Sequence, residues 1–133
     1  MTTVVLDAGV IIGALDGADA HHQACVAALG RFNREDLVVP ASVLAEVLVR
    51  PYSHGAPMVH AVERFLTDLG VRIHPLDTAI AHAAARLRDS HVSLRLPDAL
   101  TIGTASVLDG TVLTTDKGWP PELGVAVRIV GRE

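Results

Sequence analysis

Short β-branched and aliphatic runs alternate along the chain with longer stretches whose apolar residues recur at helical spacing. Residues 2–6 (TTVVL), 36–39 (DLVV), 71–76, 111–114 and 125–130 read as strands. Between them, residues 8–15 form an apolar helical stretch, and 18–32 carry Ala24, Ala28 and Leu29 on one helical face. Residues 41–50 read as a helix ended by Pro51. The segment 58–69 sets Val59, Val62, Phe65, Leu66 and Leu69 on one face and closes at Gly70. Residues 78–88 are Ala-rich, with Asp77 placed as N-cap, and 99–108 form a helix without a charged residue. Residues 55–57 and 91–96 are the expected long turns. Strand–helix alternation over the whole length predicts an α/β fold: a mainly parallel, five-stranded sheet with helices on both faces. No linker, repeat or low-complexity segment interrupts it, so residues 1–133 are expected to form a single domain.

Half of the residues are hydrophobic but only 3% are aromatic, so the core must be built from Ala, Val, Leu and Ile. The single cysteine, Cys25, rules out an intrachain disulfide and a multi-cysteine metal site, and its apolar setting predicts burial. No stretch reaches the roughly 18 apolar residues of a membrane span. The start of the chain lacks a basic region, and Asp7 breaks its first apolar run; a signal peptide is not expected and a cytoplasmic setting is. A formal net charge of −4 argues against holding nucleic acid by bulk positive charge. It leaves room for a nuclease whose metal ions supply that charge, so the placement of the acids matters more than their number.

Most acids have ordinary places. Asp16, Asp19, Glu35, Asp36, Glu63, Asp68, Asp89, Asp109, Glu122 and Glu133 fall at turns, helix ends or polar faces. Four do not. Asp7 follows an apolar strand directly and precedes an apolar helix, as a helix cap or as a ligand at the carboxyl end of a strand, where α/β sheets gather their ligands. Glu46 is the only charge in PASVLAEVLV and has no evident solvent face; Arg50 lies one turn on, placed to pair with it or to face a phosphate. Asp98 follows Pro97 at the start of an uncharged helix, a place that also suits an acid through the helix dipole. Asp116 follows the strand 111–114 after one further threonine and repeats the arrangement of Asp7.

Four carboxylates in one crevice cannot all stay ionised without counter-charge. A hard divalent cation such as Mg²⁺ is the natural partner, and such a site suits phosphodiester hydrolysis. Thr114 and Thr115 can add hydroxyls near Asp116. Arg50, Arg95 and Lys117 are candidate phosphate contacts, and Trp119 either stacks on a base or packs against the core. His21 and His22 are expected to be exposed. The seven histidines form no H-E-x-x-H and no tight Cys/His spacing, and neither a P-loop nor a G-x-S-x-G motif is present.

In order, VVLDAGVI, ASVLAEVL, LPDALTIGTA and VLTTD resemble the PIN-domain nucleases, in particular the VapC toxins of bacterial toxin–antitoxin pairs. The resemblance runs from the first strand to the last, and LPDA before an uncharged helix is its sharpest part. It implies a three-layer α/β/α fold and Mg²⁺- or Mn²⁺-dependent endoribonuclease activity. It further implies metal ligation by Asp7, Glu46, Asp98 and Asp116, homodimerisation, and a small antitoxin that blocks the site. The chain departs from the family at Gly9, where a hydroxyl or amide residue is common. Three other readings stay open: a housekeeping RNA-processing PIN nuclease, a non-catalytic binding module, and a phosphoacceptor signalling domain. A lone acid after the first strand suits the last of these poorly.

Overall fold

The computed structural model describes residues 2–32 and 35–132, which leaves Glu133 outside the described residues. Five strands, β1 (Thr3–Leu6), β2 (Asp36–Pro40), β3 (Arg72–His74), β4 (Thr111–Thr114) and β5 (Ala126–Ile129), form one sheet in the order β3-β2-β1-β4-β5. Every neighbouring pair is parallel, with Val5 level with Val38 on one side and Val112 on the other. Six helices complete the described chain: α1 (Ala8–Leu15), α2 (His22–Arg31), α3 (Ala41–His54), α4 (Ala56–Leu69), α5 (Thr78–Ser90) and α6 (Leu96–Leu108).

The period-two alternation of strand side chains sorts the core into two layers. Val4, Leu6, Leu37, Val39 and Leu113 pack on one face with Val10, Ile11, Cys25, Leu29, Val43, Val47 and Leu66 from α1 to α4. Val5, Val38 and Val112 turn to the other face, where Ala105 of α6 covers them. There α5 lies against α6, with Ala84, Leu94, Ala99 and Ile102 between them. The result is three layers, α1–α4, sheet, and α5–α6, and the core is aliphatic, as the scarcity of aromatics requires. Cys25 is buried. Trp119 packs half-buried against both clusters on the α5–α6 side, the packing alternative of its two readings. Among the described residues no helix is long and apolar enough to cross a membrane.

Several boundaries move for local reasons. Pro51 does not end α3, which continues to His54. Proline's fixed φ is compatible with a helix, and the exposed last turn is held by other donors. The Gly55 N–H donates to the Pro51 carbonyl at 3.0 Å, and His54 Nδ1 lies 2.9 Å from the Arg50 carbonyl. The helix starting at residue 18 in sequence begins at His22 in the structure. Asp16 and Asp19 turn the preceding backbone instead, accepting from the N–H groups of Ala18 and His21 at 2.9 and 2.7 Å. His22 is half-buried, with Nδ1 2.9 Å from the Gly13 carbonyl, and only His21 is exposed. Pro57 and Pro97 lie in the first turns of α4 and α6, so both helices start earlier than the sequence suggests and shorten the turns before them. Gly70 ends α4 in the left-handed region at φ 72°.

Asp77 caps α5 in the ordinary way, its Oδ1 accepting from the Ile80 N–H at 2.9 Å. Asp77→Ala is predicted to destabilise the fold by about 1 kcal/mol, read as a lower urea midpoint at unchanged slope, without any change in the response to divalent cations.

Candidate active site

The chain builds the sheet outward from β1 in one direction through β2 and β3, then returns across it to add β4 and β5 on the other side. The crevice between the carboxyl ends of β1 and β4 is therefore the point where the strand order reverses, the usual place for a ligand in an open α/β sheet. Asp7 follows β1 there, and Thr114 ends β4. The backbone N–H of Asp7 extends the pairing by donating to the Leu113 carbonyl at 3.0 Å. The fully buried Thr114 hydroxyl donates to Asp7 Oδ2 at 2.7 Å and accepts from the Asp116 N–H at 3.0 Å. Asp7 Oδ1 accepts from the N–H of Ala8 at 2.9 Å. An ordinary cap reaches the second or third helical N–H, as Asp77 does, so Asp7 holds the helix start without being spent as a standard cap. Burial raises the Asp7 pKa above the ordinary carboxylate value; the Thr114 and Ala8 bonds oppose this, and the charge of Asp116 adds to it.

Glu46 and Asp98 reach the same crevice from two helices that touch, α3 and α6. Both pKa values are raised first by desolvation and then by acidic neighbours: Asp7 and Asp98 act on Glu46, Asp7 and Asp116 on Asp98. The four carboxylates singled out in the sequence are thus linked electrostatically through Asp7 and Asp98. Glu46 differs from the sequence reading in one respect: it stands on an exposed part of α3, because α3 runs along the rim of the crevice. Arg50, one turn on, makes no ion pair with it. The cation that acts on both Glu46 and Asp98 is Arg95, whose Nε lies 4.0 Å from Asp98 Oδ2 at i,i+3. That spacing, R-L-P-D, is the signal by which Arg95 can be tied to Asp98 from sequence. The Trp119 indole also lowers the Asp98 pKa, although its buried Nε1 satisfies no complete hydrogen-bond geometry.

Asp116 is exposed, its Oδ1 accepting from the Gly118 N–H at 2.7 Å. Lys117 is exposed beside it, and the two line a small hollow with Trp119. Thr115 lies against Gly9 at the start of α1, a contact that nothing in the sequence announces. Arg50 lines a separate groove of about 430 Å³ with Glu46, Val47, Ile12, Leu15 and Met58. Glu46 is common to the groove and the acidic crevice.

Among the described residues, no three His, Cys, Asp or Glu side chains close in as a ready-made metal cage. The donor set is nevertheless four hard carboxylates at a strand-end crevice, three of which, Asp7, Glu46 and Asp98, have raised pKa values. Mg²⁺ ordinarily takes only one or two carboxylates and keeps several waters, so an open ring of acids fits such an ion better than a tight cage does.

The sequence matches the PIN domain over residues 4–120, and the chain belongs to that family. Among solved structures, FitAcB from Neisseria gonorrhoeae is similar, at 25% identity and a TM-score of 0.75, with 93% of this chain and 95% of that chain covered. VapBC2 from Rickettsia felis, solved on a DNA fragment from its promoter, superposes with a TM-score of 0.77 at 14% identity, covering 96% and 98% of the two chains. VapC20 from Mycobacterium tuberculosis, a toxin that cleaves the sarcin–ricin loop, gives 0.65 at 12% identity, with 91% and 92% covered. The last two likenesses speak to the fold alone. Among curated proteins, none matches the chain.

The raised carboxylates set a pH dependence with a definite sign. A folded pKa above the unfolded one means that the native state holds its protons longer, so stability falls as pH rises through the unfolded values near about 4. The penalty is complete above the folded values. In the metal-free protein at pH 7, Asp7→Asn is predicted to raise Tm, and the gain should disappear as the pH is lowered to about 3. A lower Tm for Asp7→Asn at pH 7 would make Asp7 a structural cap. Thermal melts in EDTA across that range measure it.

Proposed function

We propose that the chain is a divalent-metal-dependent endoribonuclease and the toxin of a toxin–antitoxin pair. The observation that carries this reading is the convergence of Asp7, Glu46, Asp98 and Asp116 at the β1/β4 crevice of a PIN-domain chain. PIN membership leaves the phosphoacceptor alternative without support.

In this reading the four carboxylates hold Mg²⁺ or Mn²⁺, which supplies Lewis-acid stabilisation of charge at the phosphodiester. Asp7 is held in place through Thr114, so one ligand needs no rearrangement when an ion binds. Glu46 and Asp98 are kept partly desolvated and repelled by their neighbours, which favours binding a cation there. Arg95 beside Asp98, Lys117 beside Asp116 and Arg50 in the groove that adjoins the crevice at Glu46 meet the phosphates that flank the scissile bond. An acidic protein needs such local cations, because its net charge of −4 repels RNA at a distance.

The antitoxin covers the groove between α1, α3 and α4. Ile12, Leu15 and Met58 are 40%, 37% and 48% exposed there, an apolar surface that leads to Glu46. A similar solved structure, from Klebsiella pneumoniae, is a toxin–antitoxin complex, which supports such a partner. The chain works in the cytoplasm as a homodimer.

RNA cleavage by the purified chain is predicted to require Mg²⁺ or Mn²⁺ and to stop in EDTA. Asp98→Asn and Glu46→Gln should each lower the rate by roughly a hundredfold or more, the scale of losing a group that stabilises the transition state. Asp109→Asn, on the exposed C-cap of α6, should leave it unchanged. A wild-type rate for Asp98→Asn would overturn the assignment. Induced alone, the chain should arrest growth, and co-expression of its neighbouring small protein should relieve the arrest. Harmless expression of an active enzyme would remove the toxin role and leave the nuclease.

A further inference from the structure

Gly9 lies in the first turn of α1 with helical backbone, and the positive-φ glycines are Gly55, Gly70, Gly124 and Gly131. Its conformation therefore does not call for glycine, and glycine inside a helix is destabilising relative to alanine. The reason for it is across the crevice. A Cβ on residue 9 would overlap Thr115 Oγ1, while the Thr115 Cβ and Cγ2 would sit at ordinary distances of 3.6 and 3.8 Å. Of the three atoms nearest that position, all on Thr115, only the hydroxyl oxygen is overlapped.

That hydroxyl differs from the one beside it on Thr114, which is bonded to Asp7. The hydroxyls of Thr67, Thr101 and Thr104 bond to helical carbonyls four residues back. Thr3 bonds to Asp36 and Thr114 to Asp7. Thr115 Oγ1 donates to no protein group among the described residues, although the residue is half-buried and seated between Thr114, which grips Asp7, and Asp116. Packing against Gly9 positions it while no protein group among the described residues takes its proton.

We propose that Thr115 is a substrate-positioning residue whose hydroxyl donates to a non-bridging oxygen of the phosphodiester, and that residue 9 is glycine to admit that hydroxyl. The proposal rests on the nuclease reading. The chemistry fits: carboxylates repel a phosphate, and a neutral hydroxyl on the residue next to Asp116, packed against Gly9 two residues after Asp7, is a donor that adds no positive charge to compete with the metal. The two positions are then one unit, in which the hydroxyl can be offered from either side.

The test is a set of variants assayed for RNA cleavage with Mg²⁺ and for Tm. Thr115→Ala loses no protein hydrogen bond, so it should fold with unchanged Tm and lower kcat/KM by roughly tenfold, the scale of one hydrogen bond. Thr115→Ser should keep most of the rate. Gly9→Ala displaces the hydroxyl and should lose as much as Thr115→Ala, with the double variant no worse than either single one. Gly9→Ser/Thr115→Ala returns a hydroxyl from the helix side and should recover part of the rate. Independently of activity, Gly9→Ala should raise Tm more in the Thr115→Ala background than in the wild type. Thr115→Ala cleaving as fast as an active wild type, or additive losses in the double variant, would overturn this proposal alone. A wild type that cleaves no RNA would overturn the nuclease reading and this proposal with it.

Discussion

The buried Thr114 hydroxyl, 2.7 Å from Asp7 Oδ2, joins two strands that lie more than a hundred residues apart in sequence, and the rest of the site is arranged around that junction. It is possible only because β4 returns across the sheet to pair with β1. The same hydroxyl accepts from the backbone of Asp116, so one side chain sets both strand-end acids. The fold's reversal of direction, with α1–α4 on one face and α5–α6 on the other, then lets α3 and α6 bring Glu46 and Asp98 to the crevice from opposite layers.

An arrangement of this kind opposes its own stability. Desolvation and mutual repulsion raise the carboxylates at Asp7, Glu46 and Asp98, and Arg95 at 4.0 Å is a distant and largely exposed counter-charge. The aliphatic core carries the fold against that repulsion. Val5, Leu6, Val38, Val39, Val112 and Leu113 are fully buried beneath the crevice, which holds the strand ends rigid while the acids above them remain uncompensated. Sites of this type exchange stability for function, and counter-charge supplied from solution removes the penalty.

Much of this was legible in the sequence, because the signals were local. Strand runs, helical spacing and the two acids at strand ends follow from periods of 2 and 3.6, and the Asp77 cap follows from its place before an Ala-rich helix. Boundaries were less legible where side chains compete with helix formation or proline permits it: Asp16 and Asp19 turn the backbone before α2, and Pro51 is carried within α3. The convergence of Glu46 on the cluster could be inferred only from its lack of charged neighbours, and its exposure was missed because the rim of a crevice has no local signature. Contacts set by tertiary packing, Thr115 against Gly9 and Trp119 beside Asp98, had no sequence signal at all.

The account turns on whether the four acids act as one cation site. Mn²⁺ soaked into crystals of the wild-type protein gives a direct reading through its anomalous scattering. The account predicts a peak in the β1/β4 crevice, within direct or water-mediated reach of Asp7, Glu46, Asp98 and Asp116, and its loss in Asp98→Asn crystals. A peak elsewhere, or an empty crevice at saturating Mn²⁺, would contradict it.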